Sequence, residues 1–395
     1  MASSGTEQRE ALFTPRFFTL FAFTFTVFVS MFQLLPTAPY RILAIGGSTA
    51  VAGLFLGFLT YASALSAPFS GSIVDRIGQR RVLIVTSLVI AGFSALYAVT
   101  TSYVLMFVLV VLHGFFWSGL LTASGSYMAA ILPLSRRAEG LGYWGFSSII
   151  AIGIAPSLGS IVYHFGWFTM CAEIVALNLI MAFIAWRLPA LDRHVPEGQP
   201  PFDLREHVSR FHEHVEWRVV LLAITMSLVS FGYGALTSFS MLFADAIGVA
   251  PRGLFLIAMA VTMLGGRLMM GRAIDAIGHR RVLLPSLVTC AVGMAITAAA
   301  GGPIVLAIGG GLFGLGFGLM WPAFGALALN LSGPAKSGAA YGAMIAAFDT
   351  GIGTGSSALG TIVANFGYRP AFGFAAALAA LAAPYFLLVE KRFTK

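Results

Sequence analysis

Three ionisable residues stand inside otherwise apolar runs: Glu173 in "MCAEIVAL", Arg267 in "MLGGRLMMG" and Asp349 in "AAFDTGIGTG". A charge at the centre of a bilayer costs about 3 kcal/mol or more, so such residues are candidates for ion coupling, proton relay or gating. Arg267 and Asp349 could also pair with each other, which would lower the cost of burying either. Glu173, near the end of its run, could instead reach the headgroup region. A second concentration of charge is "SGSIVDRIGQRRVLI" at 70–84, which crowds Asp75, Arg76, Arg80 and Arg81 into one short turn. "MGRAIDAIGHRRVLL" follows 200 residues later at 270–284, with Asp275, Arg280 and Arg281. A carboxylate in such a turn suits the positive end of a helix dipole, and the arginines suit an anionic membrane surface. The plainer reading is that these charges only orient the chain in the membrane.

The elements that carry these residues are long and greasy. Of 395 residues, 58% are hydrophobic and only 10% are charged, and mean hydropathy is +0.89. Soluble chains carry about a quarter charged residues. Apolar runs of about twenty residues match the thickness of a bilayer crossed as helix. The spacing of polar breaks predicts twelve helices near 15–36, 48–71, 82–100, 103–132, 140–163, 168–187, 217–245, 252–271, 282–300, 303–331, 338–364 and 370–389. The polar start has no short apolar region ending in a small-residue cleavage site, so the first run is expected to stay as a helix. Cys171 and Cys290 both fall in apolar runs and read as inert buried thiols.

With an even number of spans, the formal net charge of +8 reports topology. Nineteen of the 23 Lys and Arg residues fall in loops on the side of the termini, and only Arg41, Arg252 and Arg369 fall opposite. Basic loops stay in the cytoplasm, so both termini are expected there, in an inner or plasma membrane, with no nucleic-acid partner. The one long polar stretch divides the chain into an N-terminal six-helix bundle (1–187), a cytoplasmic linker with a short amphipathic helix (188–216) and a C-terminal six-helix bundle (217–395). Its His207, His212 and His214 read as a solvated face, not a metal site. No metal or cofactor is expected.

The halves are copies. Between 71–83 and 271–283 eight of thirteen positions are identical, and the offset continues through Gly114 and Gly314, Gly142 and Gly342, and Gly153 and Gly353. Duplicated bundles imply a pseudo-twofold axis along the membrane normal and a pathway between the halves. Here "GSIVDRIGQRR" resembles the signature loop between helices 2 and 3 of the major facilitator superfamily. Gly71, Asp75, Arg76, Gly78, Arg80 and Arg81 match it, and Gly278 and the second Asp and Arg pair repeat it with Ala276 in place of the first arginine. The resemblance covers nearly the whole chain. It implies an all-α polytopic fold of twelve transmembrane helices in two pseudo-symmetric bundles, in which helix 2 meets helix 11 and helix 5 meets helix 8. Asp75 would then face the start of helix 11 and Asp275 the start of helix 5, two latches that break when the halves rock.

The same resemblance makes helices 1, 4, 7 and 10 the walls of a substrate cavity. Their aromatic and polar residues are Phe28, Phe32, Gln33, His113, Trp117, Tyr233, Trp321 and Asn330. No Lys or Arg lies deep in these four helices, which disfavours a strongly anionic substrate and suits an amphipathic or lipophilic organic molecule. "IGIAPSLGS" in helix 5 resembles the antiporter signature of drug exporters. Pro156 and Gly159 match, Gly153 precedes them, and Ala155 and Ser160 replace expected glycines. Val110 stands where those antiporters carry an arginine, so coupling through Asp349 or His113, or uniport, stays open. The glycine-rich "AIGGGLFGLGFG" lies within helix 10, where it serves packing rather than nucleotide binding, and no enzyme signature is present. The expected protein is a monomeric secondary transporter, exporting by rocker-switch motion with proton coupling. A sugar or metabolite permease and a non-transporting receptor are the alternatives.

Overall fold

The computed structural model describes residues 11–133, 136–191, 217–270, 277–332 and 337–393. The amphipathic helix expected within 188–216, His207, His212, His214 and Asp275 lie outside these residues. The described residues form twelve helices: α1 (Pro15–Ala44), α2 (Thr49–Ile77), α3 (Gln79–Val99), α4 (Tyr103–Ile131), α5 (Arg137–Tyr163), α6 (Trp167–Arg187), α7 (Trp217–Ala246), α8 (Leu254–Met270), α9 (His279–Ala298), α10 (Pro303–Ser332), α11 (Ser337–Phe366) and α12 (Tyr368–Phe393). Ten of them are long and apolar enough to cross a membrane. In hydrocarbon every backbone group must be bonded within the protein, which leaves helices as the available solution for such runs.

Local chemistry sets the helix starts. Thr14 Oγ1 accepts from Phe17 N, Ser48 Oγ from Val51 N and Ser102 Oγ from Leu105 N, opening α1, α2 and α4. The first helix does not stop near residue 36 as its prolines suggest; it continues through Pro36 and Pro39 to Ala44. Pro36 and Pro39 each withhold a backbone donor from the preceding turn, and burial of the whole stretch from Val29 to Pro39 holds it helical nonetheless. The signature turn is also tighter than the polar break implies. Helix α2 runs on to Ile77, so Asp75 and Arg76 belong to its last turn, and Gly78 alone separates it from α3. Gly78 has φ +91°, and Gly278 in the second copy has the same value. A side chain in that conformation would be strained.

The six-helix halves repeat one packing plan. Within the first half α1 runs beside α5, and within the second α7 runs beside α11; α3 packs on α6 and α9 on α12. Arginines close equivalent ends. Arg80 Nη2 donates to the Trp186 carbonyl at 2.6 Å, and Arg280 Nε lies 3.2 Å from Glu390 Oε2. At the other end Arg41 caps the Thr100 carbonyl from α1, whereas Arg369 caps the Ala300 carbonyl from α12. A cation on the last carbonyls of a helix complements its dipole. Between the halves, α2 packs along α11 and α5 along α8.

Candidate functional site

The halves meet closely at the end of the bundle away from the termini. Gly53 of α2 lies so near α11 that a Cβ there would run into the Ser356 carbonyl. Ser356 is fully buried and donates to the Gly53 carbonyl at 2.8 Å, while its oxygen lies 2.7 Å from Ser238 Oγ of α7. One side chain thereby ties α2 to α11 and α7. Tyr61, about two turns further along α2, shares a 2.6 Å hydrogen bond with Thr354 of α11. At the rim Tyr40 donates to Asp245 Oδ2 at 2.8 Å, and Arg252 holds Asp245 Oδ1 at 2.7 Å while its guanidinium lies 5.5 Å from the Tyr40 ring centre. Sequence reading missed this cluster because Tyr40 and Asp245 lie 205 residues apart at helix ends, where polar residues are commonplace.

Below that seal the halves separate around a cavity of about 2420 Å³. Its lining runs from Leu35 and Ile352 at the closed end to Pro133 and Arg136 at the loop joining α4 to α5 and Glu139 in the first turn of α5, on the side of the termini. Two aromatic groups form the walls. In the first half Phe28 lies 5.9 Å from Phe32 and 5.8 Å from Trp117, and Trp144 Nε1 donates to Thr24 Oγ1 at 2.9 Å. In the second half Tyr233 stacks on Phe317 at 4.7 Å, and Trp321 meets Phe348 edge-on at 4.9 Å. Offset and edge-on aromatic contacts of this kind make rigid apolar walls.

Five of the eight residues expected from the sequence therefore line one space: Phe28, Phe32, Trp117, Tyr233 and Trp321. The other three are placed elsewhere, each for a reason of helical phase. Gln33 is rotated about 100° from Phe32 and packs against Gly159 of α5, fully buried. His113 sits one turn from Trp117, where its ring stacks on Tyr97 of α3 and its Nδ1 lies 3.4 Å from the Tyr97 hydroxyl. Asn330 follows Trp321 by nine residues, which is half a turn out of phase, and is exposed. Trp144, Phe317 and Phe348 were not anticipated. Phe317 precedes Trp321 by one turn, so extending each aromatic by four residues along its face would have found it.

The intramembrane charges have separate fates. Asp349 lines the cavity about 18 Å along α11 and has no hydrogen bond or ion pair among the described residues. The pairing with Arg267 considered above is absent. Arg267 also lines the cavity, but its Nε donates to the Gly318 carbonyl of α10 at 3.1 Å and its guanidinium lies beside Gly145 of α5. Glu173 does not reach out to headgroups; its Oε1 accepts from Gln33 Nε2 at 3.3 Å.

Of the signature residues, Gly71 is half-buried, and Asp75, Arg76 and Arg81 are exposed. Asp75 makes no hydrogen bond or ion pair among the described residues. Arg80 is not a free surface anchor, since it caps α6. In α5, Gly153 faces Ala260 of α8, Pro156 is buried inside the helix, and Gly159 faces α1 rather than α8.

Comparison with known proteins bears on the whole chain. A family model described as Major Facilitator Superfamily matches residues 17–272 and 253–395. A Pseudomonas aeruginosa protein described as an uncharacterized MFS-type transporter is 28% identical over 352 residues, covering 84% of this chain and 82% of that one. The MFS-type transporter YhhS of Escherichia coli is 25% identical over 346 residues, covering 85% and 83%. Among solved structures, the nucleoside transporter NupG superposes with a TM-score of 0.76 over 96% of this chain and 100% of its own, at 16% identity, a likeness of fold alone.

Proposed function

The chain belongs to the major facilitator superfamily of multi-pass membrane transporters, and from that premise we propose that it moves a small amphipathic or lipophilic organic molecule by rocker-switch alternating access. The observation that carries this reading is the cavity between the halves, sealed at one end and reaching the other. A transporter needs two such states. The Tyr40, Asp245 and Arg252 cluster and the Gly53 contact close one end; the signature Asp75 and its counterpart Asp275 close the other after the halves rock. The units that move are the bundles 1–187 and 217–395, joined by the linker 188–216.

The excess of basic residues on the side of the termini supports a cytoplasmic location for that side, in a bacterial inner membrane. The cavity then loads from the cytoplasm, which, together with the likeness of α5 to antiporters, favours export. Aromatic walls with few charged groups support an amphipathic substrate. Asp349 is the residue in the cavity best placed to couple a proton to that movement.

The test is flux in proteoliposomes, after a thermal-shift screen of the purified protein has supplied a bound organic molecule. Uptake or release of that molecule that responds to an imposed pH gradient is expected. Binding without flux under any gradient would mean a receptor and overturn the reading.

A further inference from the structure

We propose that Glu173 and Gln33 form a proton-binding site in the N-terminal half, apart from the cavity. Gln33 is fully buried, and Gln33 Nε2 donates to Glu173 Oε1 at 3.3 Å. That leaves Gln33 Oε1 and Glu173 Oε2, both sealed from solvent, without a hydrogen bond among the described residues. Both atoms are acceptors, so neither can satisfy the other. One proton on Glu173 Oε2 removes the deficit: the acid then donates to Gln33 Oε1 while the amide donates back to Glu173 Oε1. The result is a cyclic acid–amide pair with two hydrogen bonds. A carboxylate in the same place would leave two buried acceptors unpaired, at a cost of about 1–3 kcal/mol each and more for the charged group.

Among the described residues no charged group is paired with Glu173. Helices α1, α3 and α5 pack on α6, and their charged and titratable groups have other partners: Arg80 of α3 is on the Trp186 carbonyl, Tyr40 of α1 is on Asp245, and Arg41, Tyr97 and Tyr163 gather around Trp167. Arg41 of α1 lies 5.9 Å from the Trp167 ring centre with its Nη2 on the Thr100 carbonyl. Tyr97 of α3 turns its hydroxyl to His113, and Tyr163 of α5 lies edge-on to Trp167 at 6.2 Å. On α6 itself Cys171 is a buried thiol. No ion pair involves Glu173 among the described residues.

The proton is then part of what fastens α1 to α6. Helix α1 also carries Phe28 and Phe32 of the cavity wall and Tyr40 of the seal. Resting on the transport reading above, occupancy of this site would bias the helix that both lines and closes the pathway.

Infrared difference spectroscopy of the full chain in nanodiscs, titrated through neutral pH, tests the site without any substrate. A protonated-carboxyl carbonyl band is expected at neutral pH. It should vanish in Glu173→Gln, persist in Asp349→Asn, and move to higher frequency in Gln33→Leu, where the acid loses its amide partner. A band unchanged in Glu173→Gln overturns the proposal. If that variant does not fold, a band unmoved in Gln33→Leu overturns it equally. Failure of transport leaves this readout intact, and loss of the band assignment leaves transport intact, so the two readings fail separately.

Discussion

Tyr40, at the end of α1, donates a 2.8 Å hydrogen bond to Asp245, at the end of α7, and so joins the two halves where the pathway is shut. Asp245 is held in place by Arg252 from its own half. Both partners of that ion pair are about one-third exposed, so its own worth is small and its role is to aim Asp245. Removing the cross-half bond with Tyr40→Phe is expected to destabilise the sealed state by about 1 kcal/mol, roughly a fivefold shift in the equilibrium between states. Spin-label distances across this end should lengthen in a larger fraction of molecules.

Gly53 gives a harsher version of the same test. Its backbone meets the Ser356 carbonyl of α11, so Gly53→Leu cannot be accommodated without parting α2 from α11. Overpacking at such contacts costs about 1–3 kcal/mol or more. The variant should fold, populate the state open at this end, and lose flux. Cysteine labelling from the sealed end reads the change.

Asp349→Asn should abolish flux driven by a pH gradient while sparing counterflow. The amide keeps the size of the side chain but cannot carry the proton. Gradient-driven flux at the wild-type rate would remove Asp349 from the coupling mechanism.

Trp321→Ala and His113→Ala should part company. Trp321 lines the cavity against Phe348, and its loss is expected to raise KM about tenfold through lost aromatic contact. His113 packs on Tyr97 inside the first half, so its truncation should lower thermal stability by about 2 kcal/mol and leave KM in place. Equal effects on KM would mean that the cavity is not the substrate site.

Asp75→Asn should leave the state described here untouched, because Asp75 is exposed and makes no bond among the described residues. Its effect belongs to the opposite state, where the carboxylate would meet the start of α11. That state should lose about 1 kcal/mol, seen as a smaller population closed on the side of the termini.

The sequence by itself determined the spans, the duplication and the turn at Gly78. These follow from local properties: run length against bilayer thickness, a 200-residue offset, and a backbone position that only glycine occupies without strain. Asp75 and Arg76 were legible as a pair in a turn, though the chain keeps them within α2. What the tertiary structure decided was the rotation of each helix and the choice of open end. Trp321 and Asn330 share a helix, but half a turn puts one in the cavity and the other outside it. Gln33 looked like a substrate contact until its neighbour across α6 proved to be Glu173. Hydropathy barely distinguishes the faces of a helix that is apolar all round, because a bilayer and a protein core reward the same residues. Only packing against α3, α5, α6 and α11 chooses between them, and only contacts such as Tyr40 with Asp245 decide which end is shut.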